Sequence, residues 1–133
     1  MEKVLVTVSQ AGDGTFWCHT EADVYCGGLN SAGDTVKAAK DDLQVCLEDA
    51  RADFIERGGT PYDVEFEYKY DLQSFFEYFS FLNVTDIARR AGINPSLMRQ
   101  YARGIKTAGE KTYARLSACM AEITKELSAA SFR

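Results

Sequence analysis

The sequence predicts an α+β protein with a β-β-β-α-β segment over residues 1–70, in which one helix packs on a sheet, followed by an all-α segment over residues 71–133. Two kinds of apolar pattern predict this class. Alternation with a period of two indicates strands, and recurrence at three- and four-residue steps indicates helices. A chain of 133 residues suits one domain or two small ones that share an interface.

Strands are predicted from alternating residues at positions 3–10, 15–20, 29–32 and 63–70. In the first of them Val4, Val6 and Val8 share one face, as expected of a half-buried strand. Asp13-Gly14 follows, and this dipeptide is a strong signal for a hairpin turn. The first two strands are therefore expected to form an antiparallel hairpin.

A long helix is expected between the third and fourth strands. Asp34-Thr35 opens it and Gly58-Gly59 ends it. One apolar stripe runs along it, made of Val36, Ala39, Leu43, Cys46, Leu47, Ala50 and Phe54. This stripe is expected to cover one face of the sheet.

Two further helices are expected in the second segment, one on each side of its central motif. The first begins after Asp71 and has an apolar stripe of Leu72, Phe75, Phe76, Phe79 and Leu82. The second spans about residues 110–128 and is expected to start from a capping box at residues 107–110. Its apolar stripe could pack within the chain or form a seam with a second copy.

The central motif spans residues 84–106, VTDIARRAGINPSLMRQYARGIK, and predicts two short helices joined by a tight turn. Gly92 stands where the first helix must end in a left-handed conformation. Asn94 can cap the second helix, and Pro95 suits its first turn. This order is a helix-turn-helix signature, although pairs of short helices also occur in proteins that never meet DNA.

The net charge of −5 is distributed unevenly along the chain. Residues 1–70 hold 6 Lys/Arg and 14 Asp/Glu, a net of −8, whereas residues 71–133 hold 9 Lys/Arg and 6 Asp/Glu, a net of +3. Such asymmetry suggests two parts with different partners, a basic surface for the first and phosphate for the second. The alternative is that acidic residues simply solvate a helix face.

The composition argues against an enzyme and against a secreted or membrane protein. The four cysteines are scattered without a CxxC pair, and His19 is the only histidine, so we expect reduced thiols, no metal and no cofactor. No signal peptide and no apolar run of membrane-spanning length is present, which suggests a cytoplasmic protein. No set of residues forms a catalytic constellation.

Two parts of the chain resemble known families. The pattern Asp86-Ile87-Ala88, Ala91-Gly92-Ile93-Asn94, Met98, Tyr101 and Gly104 resembles the lambda-repressor-like helix-turn-helix class. The first segment resembles the HicB-type antitoxin domain through Asp13-Gly14, Phe16-Trp17, Gly33-Asp34-Thr35 and Val36-Lys37-Ala38-Ala39. Together the two resemblances cover nearly the whole chain.

The resemblance implies a partial ribonuclease H-like fold over residues 1–70 without the nuclease acids, and a helix-turn-helix DNA-binding domain over residues 71–133. It further implies a type II antitoxin. The N-terminal domain would neutralise a small basic mRNA-cleaving toxin, similar to HicA, and the C-terminal domain would repress the operon by binding double-stranded operator DNA. A homodimer or higher oligomer would couple the two.

The start of the second helix of such a motif faces base edges, where Gln pairs with adenine, Arg reads guanine or holds phosphate, and Leu can meet a thymine methyl. The candidate DNA-binding residues are Asn83, Thr85, Asn94, Ser96, Leu97, Arg99, Gln100, Arg103 and Lys106. Met98 and Tyr101 are expected in the core. The alternatives are a stand-alone regulator, whose N-terminal domain serves oligomerisation or ligand sensing, and a degenerate nuclease.

Overall fold

The computed structural model describes all residues, Met1–Arg133, and is a mixed α/β structure with one four-stranded sheet and five helices. The chain divides into two compact units, Met1–Tyr78 and Phe79–Arg133. The elements in order are β1 (Glu2–Gln10), β2 (Phe16–Thr20), β3 (Asn30–Gly33), α1 (Val36–Glu56), β4 (Val64–Tyr70), α2 (Leu72–Tyr78), α3 (Val84–Ala91), α4 (Pro95–Ala102) and α5 (Glu110–Ala129).

The sheet of the N-terminal unit has the strand order β3-β2-β1-β4, which confirms the predicted β-β-β-α-β succession. β1 pairs with β2 in antiparallel register, with Val8 opposite Cys18, and β2 pairs in the same sense with β3. β1 pairs with β4 in parallel, with Val6 opposite Tyr68. Because parallel neighbours need a crossover connection, α1 must pass over the sheet between β3 and β4.

α1 begins as its sequence predicts. The Thr35 hydroxyl accepts a hydrogen bond from the Ala38 backbone N–H at 3.0 Å, which satisfies one of the free donors at the helix start. Val36, Ala39 and Leu43 are fully buried against the sheet. The main core cluster joins these residues to the strands and consists of Val6, Val8, Phe16, Cys18, Val36, Ala39 and Leu43.

The helix α2 belongs to the N-terminal unit, whereas the sequence predicts it in the second segment. α2 follows β4 directly, and the Asp71 carboxylate accepts from the backbone N–H of Ser74 at 2.8 Å and of Gln10 at 3.0 Å. Glu77 accepts from the Val36 N–H at 3.0 Å, which ties α2 to the start of α1. The unit therefore holds two helices rather than one, and α2 ends at Tyr78, before the last two residues of its predicted stripe.

An aromatic cluster surrounds Lys40 on α1. Its ammonium lies 4.0 Å from the ring centroid of Tyr68 and 3.6 Å from that of Tyr78, and it donates a hydrogen bond to the Tyr70 hydroxyl. Burial lowers the pKa of the Lys40 ammonium and raises the pKa of both Tyr68 and Tyr70, most strongly that of Tyr70. Cation–π attraction offsets part of the cost of removing this ammonium from water.

The four cysteines are free thiols, of which Cys18 and Cys119 are buried, Cys46 is half-buried and Cys26 is exposed. Burial raises the pKa of the Cys18 thiol, which keeps it protonated and unreactive at neutral pH. None of the helices combines the length and apolar character needed to cross a membrane.

We expect the free energy of unfolding to fall as the pH rises above the ordinary tyrosine value of 10.0, because Tyr70 keeps its proton in the folded state and releases it on unfolding. Its contribution is fully present below pH 10.0 and is lost as the pH passes through the raised folded-state pKa. Lys40, whose pKa is lowered in the folded state, makes the free energy of unfolding rise with pH, but only up to its ordinary pKa of 10.5. Thermal melts across this range, with phenolate absorbance followed in parallel, measure the loss.

The Tyr70→Phe variant should lose less stability with rising pH than the wild type does, whereas Tyr101→Phe, in the other unit, should follow the wild-type curve. Equal alkaline slopes for wild type and Tyr70→Phe would contradict the assignment.

Candidate nucleic-acid interface

α3 is fixed at both ends by short-range hydrogen bonds. The Asn83 carboxamide oxygen accepts from the Asp86 N–H at 3.0 Å and so caps the helix. At the other end Gly92 adopts the left-handed conformation, with φ 73° and ψ 31°. The following N–H, that of Ile93, then returns to the Ala88 carbonyl at 2.8 Å. Gly92 therefore turns the chain so that a second helix can begin within three residues.

α4 begins with the predicted cap and ends with a second glycine. The Asn94 carboxamide oxygen accepts from the Leu97 N–H at 3.1 Å, and Pro95 occupies the first helical position, where a missing N–H costs nothing. Gly104, at φ 76°, ends the helix after Arg103. The two short helices and their turn are thus a helix-turn-helix arrangement in backbone geometry.

The core of the C-terminal unit draws on three helices. Its buried side chains are Ile87 and Ala88 of α3, Ile93 of the turn, Met98 of α4, and Leu116 and Cys119 of α5. Met98 is fully buried, as expected, whereas Tyr101 is half-buried. The predicted capping box at residues 107–110 is wrong. Gly109 occupies the cap position of α5 and provides no side chain to accept a hydrogen bond.

One face of α4 points away from this core and carries polar and basic side chains. Ser96, Arg99 and Arg103 are exposed, and Gln100 is half-buried beside them. Their spacing of three and four residues places all four on one side of the helix. This face, called here the α4 face, belongs to a helix of ordinary dimensions, about 10–12 Å across with its side chains, which a major groove admits.

Arg99 connects the α4 face to the start of α3. Its guanidinium Nη1 donates to the Thr85 hydroxyl at 3.0 Å, so these two predicted site residues lie together. Thr85 is half-buried, and Arg99 is exposed. The bond orients the arginine while its remaining N–H groups stay available to an acceptor.

The other predicted site residues have different surroundings. Asn83 and Asn94 are exposed, but their carboxamide oxygens already cap α3 and α4, which leaves their NH₂ groups as donors. Leu97 is half-buried on the side of α4 away from Arg99. Lys106 is exposed in the segment after α4, and its backbone N–H lies 3.4 Å from the Gln100 carbonyl.

Two residues near the α4 face were not identified from the sequence. Arg115 of α5 donates from Nη1 to the Gly92 carbonyl at 3.1 Å and so holds the turn in place. Ile105 is 66% exposed, and its N–H bonds to the Gln100 carbonyl at 2.9 Å. No sequence signal indicates that Arg115 meets the turn, because the contact joins residues that are 23 positions apart.

The two units differ more in net charge than the two predicted segments do. The C-terminal unit holds 9 Lys/Arg against 4 Asp/Glu, a net of +5, and the N-terminal unit holds 6 against 16, a net of −10. Some cations of the basic unit are paired: Arg90 with Glu126 of α5, and Arg89 with Asp86 within α3. Arg103 and Lys106 form no ion pair and can meet an anion directly.

Comparisons of the chain with protein-family models, with curated proteins and with solved structures give no match. No group of three or more His, Cys, Asp or Glu side chains is arranged so that it could hold a metal ion.

We expect Gly92→Ala to destabilise the C-terminal unit by about 1–2 kcal/mol, because a Cβ disfavours the left-handed conformation at φ 73°. The cost is purely conformational, since a Cβ at this position meets no atom within 4 Å. Gly92→Asn should recover part of the loss, as Asn tolerates this region. Chemical denaturation measures it.

Gly109→Ser is the matched control, because Gly109 has φ −91° and equally free surroundings. A loss at Gly109 as large as that at Gly92 would show that the left-handed turn is not the cause.

Proposed function

We propose that the protein is a transcriptional regulator that binds double-stranded DNA by placing α4 in the major groove. The observation that carries the proposal is the α4 face, where an exposed row of donors includes Arg99 anchored on Thr85 of the preceding helix. A helix-turn-helix reads DNA with the outer face of its second helix while its first helix crosses the backbone. The net charge of +5 on this unit favours approach to phosphate.

Base reading is assigned to the α4 face. The Gln100 carboxamide can donate to and accept from adenine in the major groove, and Arg103 can bond guanine or a phosphate. Ser96 can bond either kind of base edge. Leu97 follows Ser96 but is half-buried on the side of α4 away from Arg99, and we therefore assign it no base contact.

Phosphate contacts are assigned to the helix starts and to the segment after α4. The free NH₂ groups of Asn83 and Asn94 stand at the N-termini of α3 and α4, where helix dipoles add to the attraction for an anion. Lys106 supplies a positive charge at the far end of α4. Such contacts set the position of a protein on DNA without carrying sequence information.

We expect Gln100→Ala to change sequence preference, with a cost of about 1–3 kcal/mol that is confined to one base pair of the preferred site. Fluorescence anisotropy of the purified protein measures this, using DNA from upstream of its own gene and a set of single-base variants of that DNA. A uniform loss on every sequence would remove Gln100 from base reading.

Lys125→Gln is the control for charge and for folding, because Lys125 is exposed on α5 and forms no ion pair. It should leave the order of preference among the DNA variants unchanged.

Binding should weaken as salt rises, because each phosphate contact releases condensed counterions. Lys106→Gln should lower the slope of log affinity against log salt by about one unit, while keeping the sequence preference. Anisotropy titrations at several salt concentrations give the slope. A slope near zero for the wild type would contradict DNA binding through phosphate contacts.

A second activity, neutralisation of a toxin by the N-terminal unit, is supported by two observations. The β-β-β-α-β order agrees with the one implied by the HicB-type resemblance, and a net charge of −10 suits a small basic RNA-cleaving partner. We propose that the protein is an antitoxin that binds such a toxin, and that toxin binding and DNA binding are coupled through association of two or more copies.

If a small basic protein is encoded beside this chain, co-expression of the two tests the antitoxin role. We expect growth to be rescued and the two proteins to co-purify in a complex that dissociates at high salt. Specific DNA binding without any such partner would instead favour the stand-alone regulator, in which the N-terminal unit serves association or ligand sensing. Metal-dependent cleavage of RNA by the chain alone would revive the degenerate nuclease.

A further inference from the structure

The two edges of the sheet differ in whether their backbone groups are occupied. At the β3 edge, side chains of α1 pair with two of the outward backbone groups. Asp42 accepts from the Ala32 N–H at 3.3 Å, and the Cys46 thiol donates to the Asn30 carbonyl at 3.5 Å. This edge is only four residues long. α1 therefore closes the β3 edge to any further strand.

The β4 edge is longer and is not closed in this way. β4 pairs with β1 over seven consecutive residues without a bulge, and it contains no proline. The Glu2 N–H bonds to the Asp63 carbonyl and the Asp71 N–H bonds to the Val8 carbonyl. In a parallel ladder these two bonds fix the alternation, so odd-numbered residues of β4 direct their backbone groups toward β1.

The even-numbered residues of β4 consequently direct their backbone groups away from the sheet. The N–H groups of Val64, Phe66 and Tyr68 find no acceptor within the chain. An edge with a row of such groups is a template for another strand. Open edges of this length in stable proteins are usually blocked by proline, by a bulge or by a covering element. β4 contains neither a proline nor a bulge.

Side chains on the two faces of β4 indicate what kind of strand could pair with this edge. Glu67 and Lys69 are exposed on the face opposite α1 and carry opposite charges two positions apart, and Glu67 also forms an ion pair with Lys3 of β1 at 3.5 Å. Phe66 and Tyr68 are half-buried on the face that α1 covers. A complementary strand should therefore offer the same alternation of charged and aromatic residues, with its charges in reverse order.

β4 itself meets this requirement when it is read in the opposite direction. We propose that the β4 edge pairs antiparallel with the β4 edge of a second copy of this chain, about a two-fold axis at Tyr68. Glu67 of each copy then lies opposite Lys69 of the other, which gives two attractive cross-strand pairs, while Glu65 lies opposite Asp71, whose carboxylate already accepts from the backbone N–H groups of Gln10 and Ser74. On the other face Tyr68 meets its own copy and Phe66 lies opposite Tyr70, so the half-buried aromatic row becomes continuous.

Charge at position 67 disfavours the adjacent register. An axis at Glu67 would place the two Glu67 carboxylates opposite each other, and like charges in that position repel. An axis at Tyr68 avoids this repulsion and also pairs the outward N–H of Tyr68 with the carbonyl of its counterpart. The two four-stranded sheets then form one sheet of eight strands with two-fold symmetry.

This dimer does not depend on DNA binding, because the edge belongs wholly to the N-terminal unit. A single pair of seven-residue strands is a small contact compared with a standard interface. The association is therefore expected to reverse on dilution. Failure of the proposed function would appear in DNA titrations, whereas failure of this inference appears in the mass of the protein in solution.

Sedimentation equilibrium of the full chain without DNA is the first test. The weight-average mass of the wild type should rise with concentration from 14.8 kDa toward twice that value. Glu67→Lys and Lys69→Glu each convert two attractive pairs into two repulsive ones, and each should raise the dissociation constant about tenfold or more. Glu48→Lys makes an equal charge change at an exposed position of α1 and should leave the dissociation constant unchanged.

A mixture of these two variants and a double variant that combines them test the register itself. An equimolar mixture of Glu67→Lys and Lys69→Glu should associate again, because the first variant has lysine at both positions of the pair and the second has glutamate at both. Every cross-strand pair in the mixed dimer then joins opposite charges. The double variant that carries both changes should also recover association. Circular dichroism shows that each variant is folded, so that loss of association is not loss of structure.

Hydrogen exchange supplies a readout at the strand. The amides of Phe66 and Tyr68 should gain protection as the concentration rises, and Glu67→Lys should abolish the gain. A wild type of constant 14.8 kDa mass would overturn the proposal, as would single variants that associate as the wild type does. Protection of these amides only when a different small basic protein is added would assign the edge to that partner and likewise overturn it.

Discussion

The parallel pairing of β1 with β4 is the constraint on which the N-terminal unit depends. It places β1 in the middle of the sheet and requires α1 to cross one face, where Val6, Val8 and Leu43 are buried together. It also makes β4 an outer strand whose alternate residues cannot all be paired within one chain. The same strand pairing therefore buries the core that stabilises the fold and leaves outward backbone groups of β4 for association.

A different constraint organises the C-terminal unit. A left-handed Gly92, held by a hydrogen bond to its carbonyl from Arg115, sets the angle between α3 and α4. Because Met98 and Ile87 lie inside that angle, the opposite side of α4 faces outward. The polar row on α4 is therefore a product of the turn as much as of the helix.

The order of elements and the existence of each helix could be predicted, because periodicity and caps are local signals: Thr35 and Asn94 both cap as expected. The place of α2 could not, since an apolar stripe shows that a helix is buried without showing against what. Glu77 reaches Val36, 41 residues away, and no pattern announces such a bond. The candidate site was similar in this respect: the exposed positions of α4 follow from spacing, whereas the Arg99–Thr85 and Arg115–Gly92 bonds require the fold.

The closure of the β3 edge by Asp42 and Cys46 limits how far the sheet can grow. A sheet that is open at both edges can add copies without end, as fibrils do. With one edge occupied by its own helix, each molecule has a single place at which to join, and joining uses that place up. In the proposed pairing, two side-chain contacts from α1 therefore limit the assembly to two copies.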